Sequence, residues 1–240
     1  MVVVIRVAAV GDVHLAPDVR GHLRPHLTDI GAHADVLLLA GDLTQHGTRP
    51  EAEVVAAEFA DLGVPVVAVL GNHDYHCDME EEITGLLRES GMTVLEGEGV
   101  ELDLPGGRLG IGGGKGFGGG FPHRGASEFG EPEMKAFVRH SRQLAESLGK
   151  ALRDLNADYR VALTHYSPVV ETLAGEPPEI YSFLGSYFLA EAADSASVDL
   201  YVHGHAHAGS EHGTTPGGAP VRNVALPVLQ RAYAVYCLGE

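Results

Sequence analysis

Tryptophan is missing from these 240 residues, and phenylalanine and tyrosine bring the aromatic share to only 6%. A chain so poor in flat rings makes a weak stacking platform for single-stranded nucleic acid. Basic residues are scarce too: 16 lysines and arginines stand against 33 acidic residues, a net charge of −17. Holding a nucleic acid polymer by its phosphates needs a basic face, so that class of partner is excluded. Acidity of this kind usually serves solubility. A cationic metal centre can still draw a small anion into a locally positive cleft.

Cysteine occurs twice, as Cys77 and Cys237. The two form neither a zinc pattern nor a disulfide framework, so no disulfide is expected, which fits a reducing compartment. No apolar run approaches the ~18 residues of a membrane-spanning helix. The opening MVVVIRVAAVGD is interrupted by Arg6 too early for a signal peptide and reads as a buried first strand. The expectation is a soluble, cytoplasmic protein without a membrane partner. Its length suits a single domain, residues 1–240, large enough to bury a core without staples.

Short aliphatic runs are plentiful, and each stops at polar chemistry. VVVIRVAAV leads into GDVH, ADVLLLA into GDLT, VPVVAVL into GNHD, YRVAL into THYSP, and VDLYV into HGHAH. Such runs suit strands buried on both faces. Amphipathic helices lie between them. Residues 50–62 put Val55, Phe59 and Leu62 on one face and close on Gly63. Residues 132–148 start near Pro132 and end at Gly149, the usual asymmetry of helix termini. Residues 182–194 predict another helix. Strand–helix alternation implies a mainly parallel sheet. VELDLPGGRLGIGG reads as a hairpin. With two strands in the tail, PVRNVAL and AYAVYCL, it supplies a second sheet packed on the first. The glycine-rich stretch 110–120 reads as an ordered loop beside Phe117 and Phe121.

In open α/β sheets, ligands bind beyond the carboxyl ends of the strands. If the strands lie side by side, their motifs converge on one rim. The pooled groups there are Asp12, His14, Asp42, Asn72, His73, His165, His205 and His207. Imidazole, carboxylate and amide oxygen without thiolate suit Mn, Fe or Zn. Eight candidates are too many for one tetrahedral ion and natural for two ions roughly 3.5–4 Å apart. Taken singly, each has a plainer reading: an Asp after a strand is a cap or turn residue, and His165 alone is a structural histidine.

The ordered set Asp-x-His, Gly-Asp, Gly-Asn-His-Asp, His, Gly-His-x-His closely resembles the calcineurin-like metallophosphoesterases, over residues 11 to 207. The resemblance implies a four-layer α/β/β/α fold, two mixed sheets packed as a sandwich and flanked by helices. It implies a first metal on Asp12, His14 and His207, and a second on Asn72, His165 and His205, with Asp42 bridging. Mn or Fe is favoured over Zn, and a hydroxide between the ions would attack phosphorus. His73 would protonate the leaving oxygen or steady the transition state, with Asp74 orienting it or forming a turn. The implied activity is hydrolysis of a small phosphate monoester or diester, nucleotides included. The alternative is a scaffold that keeps the fold without catalysis.

Departures narrow the choice. GDLTQHG lacks the second Asp and the Arg of the protein Ser/Thr phosphatases, and His73 stands where lipid-processing relatives often carry Arg. The segment 112–125 is no P-loop, because no Gly-Lys-Ser/Thr follows at the required spacing. Lys115, His123, Arg124 and Arg139 are the cations best placed in sequence to grip a substrate. His203 falls outside the motif and is expected to be structural or supporting. His22, His26, His33, His46, His76, His123, His140 and His212 are expected at the surface or behind the site.

Overall fold

A computed structural model describes residues 4–239; the first residues of the opening run lie outside that range. The aliphatic runs become strands, and their alternation decides which layer each side chain joins. The first sheet collects β1 (Ile5–Val10), β2 (Val36–Ala40), β3 (Val66–Val69) and β4 (Thr93–Val94), all parallel. The second takes the hairpin β5 (Glu98–Leu104) and β6 (Gly107–Gly114). A small ribbon, β7 (Gly120–Phe121) and β8 (Arg124–Gly125), stands apart. Then β9 (Tyr159–Thr164), β10 (Leu200–His203), β11 (His212–Thr214) and β12 (Pro220–Asn223) complete the second sheet in the order β11-β12-β10-β9-β6-β5. The last strand, β13 (Ala234–Leu238), returns to the first sheet antiparallel to β1.

The helices are α1 (Ile30–His33), α2 (Arg49–Phe59), α3 (Glu80–Glu89), α4 (Pro132–Asp154), α5 (Tyr181–Leu184), α6 (Tyr187–Ser195) and α7 (Leu226–Leu229). Val7, Ala9, Leu38 and Val67 face Ile111, Val161, Leu163 and Val202 across the gap between the sheets. The alternate residues Ala8, Val10, Leu37 and Leu39 face outward onto Val55 and Phe59 of α2 and Ile83 and Leu87 of α3. On the far side, Ala162, Tyr201 and Val221 pack on Leu148 and Leu152 of α4 and Leu189 and Ala193 of α6. The result is the four-layer α/β/β/α sandwich.

Several boundaries differ from the sequence reading. The α2 helix ends at Phe59, although Leu62 stays buried. Gly149 does not end α4, which runs on to Asp154. A β-carbon there would press on Arg153 and Ala192, so the glycine marks where α4 and α6 meet closely. The expected helix 182–194 is two pieces, because Gly185 is extended and bridges Ser167. Residues 110–114 are strand, not loop. Side chains at Gly110 and Gly112 would collide with Leu155 and Leu152, so these glycines let α4 lie flat on the sheet. The tail strands divide between the sheets, and so do the five motifs: three follow strands of the first sheet and two follow strands of the second.

Candidate metal centre

Each motif occupies the loop just beyond its strand. Asp12 and His14 follow β1, Asp42 follows β2, and Asn72 and His73 follow β3. His165 follows β9, and His205 and His207 follow β10. Four of these residues hold left-handed backbone: Asp12 (φ 56°), His14 (42°), Asp42 (50°) and His205 (70°). That conformation costs roughly 1–2 kcal/mol for an ordinary residue. It turns each chain back so that side chains from separate loops meet. Gly41 shares this conformation, at φ 81°, and is closely packed: a β-carbon would lie 2.7 Å from the His165 ring.

Two groups of donors result, and Asp42 belongs to both. Asp12, His14, Asp42 and His207 bring ligand atoms within 4.8 Å of one another, as do Asp42, His165 and His205. The Asp42 carboxylate divides between them. Its Oδ1 lies 3.3 Å from His165 Nε2, and its Oδ2 lies 3.8 Å from His14 Nε2. His207 Nε2 sits 2.8 Å from Asp12 Oδ1, and Asn72 Oδ1 sits 3.0 Å from His165 Nε2.

Backbone groups aim this set. The N–H of His205 donates to Asp12 and that of His73 to Asp42. His165 Nδ1 donates to the Ala40 carbonyl at 2.9 Å, which directs Nε2 at the centre, the usual tethering of a ligating imidazole. His73 Nδ1 lies 2.7 Å from the Gln45 carbonyl, so its Nε2 faces inward, 3.9 Å from Asp42 Oδ2.

Electrostatics favour a cation here. Asp12 and Asp42 are buried, and among the described residues neither forms an ion pair with a lysine or arginine. Burial alone would raise the Asp42 pKa, but His165 and the His73 N–H reverse that and hold it well below the carboxylate range. Burial also pulls His165 down, yet Asp42 overcomes it and lifts the imidazole to about 9. The same carboxylate that raises His165 would attract a cation to this spot. Burial depresses His14, and depresses His205 to about 3, keeping both rings neutral. Neutral imidazoles and ionised carboxylates are the forms that bind metal. Carboxylate pairing raises His165 and His207 instead, so metal binding there would release their protons. With oxygen and imidazole donors and no thiolate, the set fits the expected ions.

No hydrogen bond joins Asp74 to the His73 ring. Its buried carboxylate accepts from the N–H groups of Leu43, Thr44 and Gly71 and from the Thr44 hydroxyl. It thus pins the Asp42 loop to the Asn72 loop, and the Gln45 carbonyl takes the orienting role. His203 is also buried, between the Gly204 carbonyl and the Thr172 hydroxyl, and burial lowers it to about 4.

Of the four cations picked from the sequence, Lys115 packs among rings that adjoin the donors. Its ammonium lies 4.9–5.4 Å from the rings of Tyr75, Phe117 and Tyr166, and Tyr166 packs against His205 with centroids 4.4 Å apart. Arg124 covers Tyr181 and Arg139 pairs with Glu128, while His123 is exposed on the β7–β8 turn. Among the described residues, no hydrogen bond or ion pair joins these three to the donors. Motif reading missed the Phe183 carbonyl, 3.2 Å from His205 Nε2, because a backbone atom leaves no sequence signal.

Comparison with known proteins gives this arrangement a family. A phosphopantetheinyl hydrolase from Mycobacterium tuberculosis shares the fold at TM-score 0.67 and 13% identity, over 98% of this chain and 97% of that one. A putative 5′-nucleotidase from Staphylococcus aureus does so at TM-score 0.59 and 16% identity, over 92% and 48%. A probable cyclic nucleotide phosphodiesterase from Synechococcus is 35% identical over 78 residues, 28% of this chain and 31% of that relative's length. The calcineurin-like phosphoesterase family matches residues 5–209, a span that holds every donor described above, and the chain belongs to that family.

Proposed function

We propose that this chain is a dinuclear metal-dependent hydrolase of phosphate monoesters or diesters, acting on a small substrate. The observation that carries this reading is the single buried carboxylate, Asp42, whose two oxygens face two separate donor groups. Asp12, His14 and His207 would hold one ion and Asn72, His165 and His205 the other, with Asp42 between them. Mn or Fe suits this oxygen–nitrogen set, and Zn remains chemically admissible. Bound there, the ions supply positive charge that acidifies a water and offsets charge on the phosphoryl oxygens.

The remaining work falls to the chain's own residues. His73, held through Nδ1 by the Gln45 carbonyl, presents Nε2 to the centre and as imidazolium can give that proton to the departing oxygen. Lys115 offers a cation for a second anionic group. The acidic body disfavours polymeric substrates. A nucleotide fits the name of the Synechococcus relative. Two exposed free thiols suit the cytoplasm, and among the described residues no helix is long and apolar enough to cross a membrane.

The test is metal-stripped protein reloaded with Mn and offered aryl phosphate mono- and diesters, cyclic nucleotides and long duplex DNA. Two ions should bind per chain, small esters should turn over, and chelation should abolish the activity until Mn returns. Asp42→Asn should lose both ions together. Binding that never exceeds one ion per chain refutes the dinuclear assignment. Efficient cutting of long DNA at physiological salt refutes the small-substrate reading. Two bound ions with no turnover would leave a scaffold.

A further inference from the structure

A cleft of about 650 Å³ opens alongside His14, between the segment that follows it and the C-terminal turn around α7. That volume falls in the range of small-molecule sites, roughly 300–1,000 Å³. Its walls are Val19 and Leu23 on one side and Leu226 on the other, all half-buried and backed by the core beneath α2. Polar groups are few: His22, His26, Gln230 and Arg231 are exposed, and the last lies 3.6 Å from Glu211.

We propose that this cleft seats the organic group of the ester, and that the group is a neutral ring system of nucleoside size. The inference rests on the phosphoesterase reading for its phosphate end, because the cleft begins at a proposed metal ligand. Three features select the occupant. The aliphatic walls reward a flat, weakly polar body placed against them. His22, His26 and Arg231 offer N–H groups to ring nitrogens and carbonyls, and a guanidinium stacks on planar rings. Among the described residues, no carboxylate and no Phe, Tyr or Trp lines the cleft. A cationic head group such as choline therefore finds neither a counter-charge nor an aromatic cage.

Two measurements test this. The first needs neither metal nor turnover: metal-free protein with labelled methyl groups is titrated with adenosine and, separately, with choline. Adenosine should shift the methyl resonances of Val19, Leu23 and Leu226 saturably, and choline should leave them in place. Unmoved methyls with adenosine, or equal shifts with choline, overturn the proposal. The second uses Mn-loaded protein carrying Leu23→Glu or, should that fold poorly by circular dichroism, Val19→Thr. The ratio of kcat/KM for a nucleoside-bearing nitrophenyl diester to that for a methyl nitrophenyl diester should fall about tenfold with the glutamate and about threefold with the threonine. Equal loss on both esters overturns the proposal. If the unmodified protein hydrolyses neither ester, the phosphoesterase reading fails, and the adenosine titration still reports on the cleft.

Discussion

At the scale of single residues, the centre is a set of side chains placed by strained backbone. Asp12, His14, Asp42 and His205 were found by their spacing, and the same four carry positive φ. Aspartate and histidine tolerate that region better than most residues, so chemistry and local geometry select the same types. Asp74 was harder to read, because its function is to accept backbone N–H groups from loops thirty residues apart. Nothing in GNHD separates that from orienting His73. The role of His73 is itself testable. His73→Ala removes a ring that bonds to Gln45 and points Nε2 inward, while every proposed ligand stays in place. Both ions should remain bound by elemental analysis. Turnover of alkyl phosphate esters should fall about 10²–10⁴-fold, the usual contribution of a positioned acid. Nitrophenyl esters, whose leaving group needs little protonation, should lose much less. Loss of an ion, or equal slowing of both substrates, would make His73 a ligand or a general charge stabiliser.

Among elements, strands were legible because β1, β2 and β3 are buried along their length and read as continuous aliphatic runs. Helix ends were less so. Gly149 looks like a terminus, but its missing side chain serves the contact between α4 and Ala192, which no local pattern encodes. Sheet membership was the least legible: β13 reads as a tail strand, and only β1, more than 220 residues earlier in the chain, fixes its partner. The start of α2 is a local device of clear effect. Thr48 and Glu51 form a reciprocal capping box, with Glu51 also accepting from His46 N–H at 2.9 Å. Burial would raise the Glu51 carboxyl, but these N–H groups outweigh it and hold its pKa below the ordinary 4.5. A depressed folded-state value adds stability above the unfolded pKa and loses it as pH falls through the folded one. Glu51→Gln should therefore lower unfolding free energy at pH 7 by about 1 kcal/mol, the scale of losing a cap. The gap from wild type should close below about pH 4. Urea unfolding at both pH values measures it, and a gap independent of pH would assign the loss to packing.

Over the whole molecule, the centre lies where the two sheets bring their carboxyl ends together. Asp12, His14, Asp42 and Asn72 come from the first sheet, and His165, His205 and His207 from the second. Ions held by both groups would therefore cross-link the halves of the sandwich, and the unfolded chain has no such site. Binding to the folded state alone stabilises by RT ln(1 + [L]/Kd), about 2.7 kcal/mol at a hundredfold excess over Kd. In a chain of this length each kcal/mol shifts Tm by about 2–4 °C, so one saturated site should raise it roughly 5–11 °C. A Mn titration followed by thermal unfolding should show that rise, and a chelator should reverse it. Variants that remove a ligand from one donor group only separate the ions. His207→Ala should remove the part of the rise due to the first ion, and His165→Ala the part due to the second. Asp42→Asn should remove most of both, because its carboxylate faces both groups. It keeps the shape of the side chain, and asparagine accepts the left-handed backbone at that position. A Tm indifferent to Mn and chelator would mean that no ion binds the folded chain in preference to the unfolded one. A rise that survives Asp42→Asn intact would show that the ions bind independently and that no carboxylate joins them.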